Sequence, residues 1–158
     1  MKLRNIYNRA VELGKYYDVR SARMEQVLGD KQSEYVKLSE EEKAYFDMES
    51  LHNPFSDCRI LSGSGDEEIM SVFCGIDIET PEIILADRLR ERGRKIDLVM
   101  AHHPEGIAQA AMHEVLHLQS DLLEKAGVPI NIAESLLASR VSEVHRALMP
   151  LNHQRAVD

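Results

Sequence analysis

The sequence predicts an α/β fold, a layered sheet flanked by helices and preceded by an N-terminal helical extension. Three observations predict it. Residues 2–49 place apolar side chains at helical spacing. Beyond Pro54, short apolar runs alternate with helical stretches, the order expected of α/β architecture. Residues 70–101 spell strand, helix, strand between turn signals. At 158 residues the chain is long enough to bury a core without disulfide or metal staples. We divide it into a helical extension, residues 1–50, and an α/β domain, residues 51–158.

Leu3, Ile6, Tyr7, Ala10 and Val11 fall on one face of a helix over residues 2–17. Met24, Val27 and Leu28 mark a second, weaker one. Ser39-Glu40-Glu41-Glu42 has the spelling of a capping box, in which serine hydroxyl and glutamate carboxylate each accept from the other residue's backbone N–H. It should start a third helix running to Glu49. Asn53-Pro54 then breaks the helical pattern.

Candidate strands are residues 58–61, 70–78, 96–101 and 129–133. Ser62-Gly63-Ser64-Gly65-Asp66 is a turn between the first two, with its glycines too few and in the wrong order for a phosphate loop. Thr80 is the expected N-cap, with Pro81 at the first helical position, of a helix packed by Ile83, Ile84, Leu85 and Leu89 and closed by Gly93. A long helix should run from Ala108 to Ala126 and stop at Gly127. A last one should run from Glu134 to Met149, because Pro150 pushes the residue before it out of helical geometry.

Composition excludes several functions. With 19 Lys plus Arg against 27 Asp plus Glu, the formal charge of −8 repels phosphate backbones and anionic lipid, so neither nucleic acid nor membrane is an expected partner. The basic cluster Arg88, Arg90, Arg92, Arg94 and Lys95 could bind an anion, but it stands where a helix should end and suits the negative end of the helix dipole. The chain begins without the apolar run of a secretory signal and carries no bilayer-length apolar segment, which points to the cytoplasm. Two cysteines, Cys58 and Cys74, without C-x-x-C spacing suit a reducing compartment. Without Trp and with few other aromatics, the chain has no stacking platform for single-stranded nucleic acid.

Four of the seven histidines fall between Ala101 and His117, in two different spellings. His102-His103-Pro104 follows the apolar run Ile96–Ala101, and in an open α/β sheet ligands collect outside the carboxyl ends of the strands. Adjacent side chains on an extended backbone point in opposite directions, so the two imidazoles would serve two metal ions, or one ion and a supporting contact. Loop histidines bonded to nearby backbone are the plainer alternative. Asp77 ends the preceding strand at the same edge, where it could orient a ligand histidine, bind substrate or cap the following turn. Glu105 is a candidate acid/base group for metal-assisted hydrolysis, or a solvated carboxylate.

His113-Glu114-Val115-Leu116-His117 is a literal H-E-x-x-H. On a continuous helix His113 and His117 would stack to hold one zinc ion, with Glu114 as base. The third ligand such a site needs would be Glu134, across Gly127 and Pro129, and the apolar stripe Ala111, Val115, Leu118, Leu122 leaves the two histidines on a side that could simply be wet.

The order Val72-Phe73-Cys74-Gly75-Ile76-Asp77-Ile78, helix, then Ile96-Asp97-Leu98-Val99-Met100-Ala101-His102-His103-Pro104 resembles the first half of the GTP cyclohydrolase type 2 homologue family, also called the Ngg-interacting-factor-three-like family. The likeness extends through Asn152-His153 to Asp158 and leaves residues 1–50 outside it. It implies an α/β protein with a dinuclear site for divalent metal, often assembled as a ring-shaped homo-oligomer; imidazole and carboxylate ligands suit zinc, iron and manganese alike. It implies His102 and His103 as metal ligands and Asp158 as the shared aspartate ligand. The family's proline is usually followed by apolar residues where this chain has Glu105-Gly106, and its remaining histidine and glutamate ligands belong to a later half, so the chain is expected to be the first half of a longer protein or a shortened member. Hydrolysis of a small substrate is the chemistry such a site supports. The alternatives are a non-enzymatic regulatory or protein-interaction module, docking a partner on its acidic surface, and the zinc peptidase of the H-E-x-x-H spelling.

Overall fold

The computed structural model describes residues 1–155. It is mostly helical, with a small parallel sheet of two strands. Helix α1 spans Leu3–Tyr17, α2 Met24–Lys37 and α3 Glu40–Lys43. Strand β1 (Val72–Gly75) leads through α4 (Thr80–Glu91) to β2 (Leu98–Ala101), a β-α-β crossover. Helices α5 (Gly106–Ala110), α6 (Met112–Val115) and α7 (Leu118–Lys125) then pack against α8, Ile130–Arg155.

In the N-terminal third the expected elements form, and one is shorter. The Ser39 capping box closes in both directions: Ser39 Oγ accepts from Glu42 N, and the Glu42 carboxylate accepts from Ser39 N at 2.8 Å. The helix it starts stops at Lys43 instead of Glu49, and a 3₁₀ turn follows at Met48–Leu51, opened by Asp47, whose carboxylate accepts from Glu49 N at 3.0 Å. Asn53 is 1 % exposed and fully bonded: its Nδ2 donates to the Tyr7 hydroxyl at 2.6 Å and to Cys58 O at 2.9 Å, and its Oδ1 accepts from Phe55 N. Tyr7 donates to Glu49, and burial first, then that bond, pushes its phenol above the usual range. The Phe55 ring lies so close to α1 that a Cβ on Gly14 would come within 2.7 Å of it, so any larger residue there would have to push the ring aside.

No strand forms at residues 58–61. Arg59 takes the carbonyls of Phe55 and Cys58 at 2.6 and 2.7 Å and pairs with Asp47, so this stretch spends its polar groups on the turn around Asn53 instead of on a ladder. The chain start instead pairs with the approach to β1: Met1 N donates to Ile69 O, Ile69 N to Met1 O and Leu3 N to Glu67 O, with an antiparallel bridge between Lys2 and Glu68.

β1 and β2 fall inside the expected strands, in register Val72 with Leu98 through Gly75 with Ala101. Asp97 fastens their leading end, its Oδ2 accepting from Met70 N, Ser71 N and Ser71 Oγ at 2.9–3.0 Å. These bonds, from Met70 N first, hold its carboxyl below the usual range. The cap of α4 is Glu79, in a capping box with Glu82, and not Thr80, which is already helical.

Downstream, three expectations fail. The expected helix over 108–126 is broken after Ala110 and Val115. On one unbroken helix Ala108 and Ser120 would point about 120° apart, and the breaks let both be buried where α5 and α7 meet α8. Residues 129–133 are not a strand: the Pro129 carbonyl accepts from Ile132 N and Ala133 N, opening α8. The buried or half-buried positions Ala133, Leu137, Val141 and Val144 follow helical spacing, whereas Ile130 and Ile132, which suggested alternation, are exposed. α8 also continues through Pro150, which removes one backbone donor without ending the helix. No helix among the described residues is long and apolar enough to cross a membrane.

Candidate functional site at the carboxyl end of the sheet

The strand pairing continues beyond β1 and β2. His102 N donates to Gly75 O at 2.9 Å and His103 N to Ile76 O at 2.8 Å, which anchors both histidines opposite Ile76 and Asp77. There Asp77 Oδ1 lies 2.8 Å from His103 Nδ1. Both side chains are more than half exposed, so water competes with the contact and its value is orientational more than energetic.

The two imidazoles are not directed to opposite faces. Their centroids are 5.1 Å apart with planes inclined by 34°, because the chain bends at His102 and His103 instead of staying extended. A carboxylate at Nδ1 favours the proton on that nitrogen and leaves Nε2 of His103 as the lone-pair donor, the arrangement in which a histidine is held for a metal or as a base.

Glu105 is the extended residue that opens α5, its carbonyl accepting from Ala108 N and Gln109 N. Asp158 lies outside the described residues, as do the side chains of His113 and Glu114. Among the described residues no group of three or more His, Cys, Asp or Glu side chains gathers as a metal set. What the structure brings together is a pair, His103 with Asp77 at 2.8 Å, and the His102 ring stands beside it with its centroid 5.1 Å from that of His103.

The H-E-x-x-H stretch does not lie on a continuous helix. His113 is in α6, whereas His117 is in the turn before α7, where Gln119 N and Ser120 N bond back three residues to Leu116 O and His117 O. Glu134 is exposed in the second turn of α8.

Asp97 escaped the sequence reading. An aspartate directly before an apolar strand is the available signal, since a short carboxylate there can reach the unpaired N–H groups at the head of the neighbouring strand. Comparison with known families, curated proteins and solved structures finds no match to this chain.

Proposed function

We propose that this chain is a metal-binding protein of the kind the GTP cyclohydrolase type 2 homologue resemblance implies, with hydrolysis of a small substrate as its chemistry. His102 and His103 are the donors, Asp77 orients His103, and Asp158 is the further ligand of the proposed set. The supporting observation is the 2.8 Å contact between Asp77 and His103 at the carboxyl end of two parallel strands. A divalent zinc, iron or manganese ion would supply Lewis acidity and make water a nucleophile at neutral pH. The chain's own part is to present Nε2 of His103 in one orientation beside a second imidazole. A layered sheet, a homo-oligomer and a cytoplasmic setting belong to the same proposal. Met70, Val72, Ile76 and Met100 are exposed, and a further layer would cover them.

The test is metal analysis of the purified chain and of a His102→Ala/His103→Ala variant, with an Asp77→Asn variant beside them. Metal should accompany the wild-type chain and be lost from the double variant, and Asp77→Asn should weaken affinity by about 10- to 100-fold. Equal metal content in the wild-type chain and the double variant would sink the assignment.

A non-enzymatic interaction module is the second reading, favoured by the same exposed apolar side chains. The break between Val115 and Leu118 lends no support to a peptidase.

A further inference from the structure

The basic cluster at the end of α4 stands beside an open strand edge. Two adjoining hollows, of about 380 and 530 Å³, run between α4 and the start of β2 and share Arg90 and Ile96. Ile96, Asp97, Leu98 and Val99 are consecutive and all line this groove. Ile96 and Asp97 precede β2, and alternate residues of a strand face opposite sides of a sheet, so a groove that takes both Leu98 and Val99 opens at the strand's edge.

The ladder fixes which backbone groups face that edge. Leu98 N donates to Ser71 O and His102 N to Gly75 O, and Asp97 and His103 join that side only outside the strand, so within β2 the even-numbered residues turn their polar groups toward β1 and Val99 and Ala101 turn theirs outward. Among the described residues no strand lies on that side. Beside it, Ile83 and Ile84 of α4 are 49 % and 54 % exposed. Half-exposed walls suit a chain segment better than a small ligand, which a pocket normally encloses.

Charge selects the segment. Arg88 is paired with Glu91 at 2.7 Å, but Arg90 and Arg94 enter no ion pair among the described residues. Of the carboxylates along the groove, Glu91 is paired with Arg88 and Glu68 with the Met1 ammonium, which leaves Asp87 and Asp97, the latter bonded to neutral groups of Met70 and Ser71, against the three cations Arg90, Arg94 and Lys95. On a chain of net charge −8 this is a local positive spot, able to draw an acidic segment that the rest of the surface repels.

We propose that the outer edge of β2 takes an extended segment of a partner protein by strand addition, its apolar side chains against Ile83 and Ile84 and its acidic residues against Arg90, Arg94 and Lys95. Strand addition draws affinity from main-chain bonds and specificity from the flanking side chains.

The probe is a short fluorescent peptide of alternating valine and threonine with glutamates at one end. Its controls are the same peptide with lysines for glutamates and the same peptide with alternate amides N-methylated. The acidic peptide should bind with increased exchange protection at the Val99 and Ala101 amides, and both controls should bind at least roughly tenfold more weakly. The Arg90→Glu/Arg94→Glu variant should lose affinity to the same degree. No binding at millimolar peptide, equal binding of the lysine or N-methyl peptide, unchanged affinity of the variant, or binding without protection at Val99 and Ala101 would each overturn the proposal. Protection of those amides that rises with protein concentration alone would overturn it too, by assigning the edge to a second copy.

Discussion

The turn around Asn53 and the two-stranded sheet settle the same problem in opposite ways. Around Asn53 the polar groups are inside and used: the amide bonds Tyr7, Cys58 and Phe55, and Arg59 bridges to Asp47 and to neighbouring carbonyls. In the sheet the polar fasteners stand at the two ends, Asp97 at the head and Asp77 with His103 at the tail, while Met70, Val72 and Met100 between them face solvent. A buried polar group left unpaired is costly, so the first region tolerates little change. The second exposes the apolar face and open edge that a further element would use.

The largest effect is expected at Asn53. Asn53→Ala leaves the Phe55 amide without its acceptor and takes one donor each from the Tyr7 hydroxyl, which keeps Glu49, and the Cys58 carbonyl, which keeps Arg59; it should cost about 2 kcal/mol in urea unfolding, with Tyr7→Phe costing about 1 kcal/mol. A loss near zero for Asn53→Ala would mean the turn is not the rigid partner in the comparison. Next is Asp97→Ala, which should leave the N-terminal helices folded while the Met70 and Ser71 amides lose exchange protection. If the whole chain loses protection together, the two regions are one cooperative unit.

A smaller and local effect is expected at Glu67, whose carboxyl is held down to about 2, chiefly by backbone N–H groups beginning with that of Ser64. A folded pKa below the ordinary 4.5 means this carboxylate supports its turn fully above pH 4.5 and loses that support as pH falls toward 2. The Ser64 and Gly65 amide resonances should titrate with a midpoint near 2, and a midpoint at 4.5 would show the turn is open. The smallest effect is Met100→Thr, on the exposed sheet face, expected within about 0.5 kcal/mol of wild type. A loss comparable to that of Asn53→Ala would show that this face is covered.

Much of this contrast was legible in the residues. The capping box at Ser39 and Glu42, both strands, and the meeting of Asp77 with His103 follow from local chemistry or from where parallel strands end. What was illegible depends on packing partners far along the chain. Val128, Ile130 and Ile132 alternate as a strand would, yet Ala133, which is wholly buried, decides the matter for a helix against α5 and α7. The expected strand at Cys58–Leu61 is displaced because Arg59 answers to Asp47 and Glu49, and the long helix after Gly106 is broken so that two of its faces meet α8. The bend that brings His102 and His103 to one side likewise left no mark on their spelling.

The bonds between residues 1–4 and 65–69 join points as much as 68 positions apart. Closing so long a loop gives up chain entropy before any contact rewards it, and such closures set the pace of folding. Helix α1 can form from its own neighbours within microseconds, but its first residues reach their partners at 65–69 only after the residues between have collapsed. The refolding chain should therefore show helix signal first, with protection at Leu3 and Ile69 arriving together in a later, single phase.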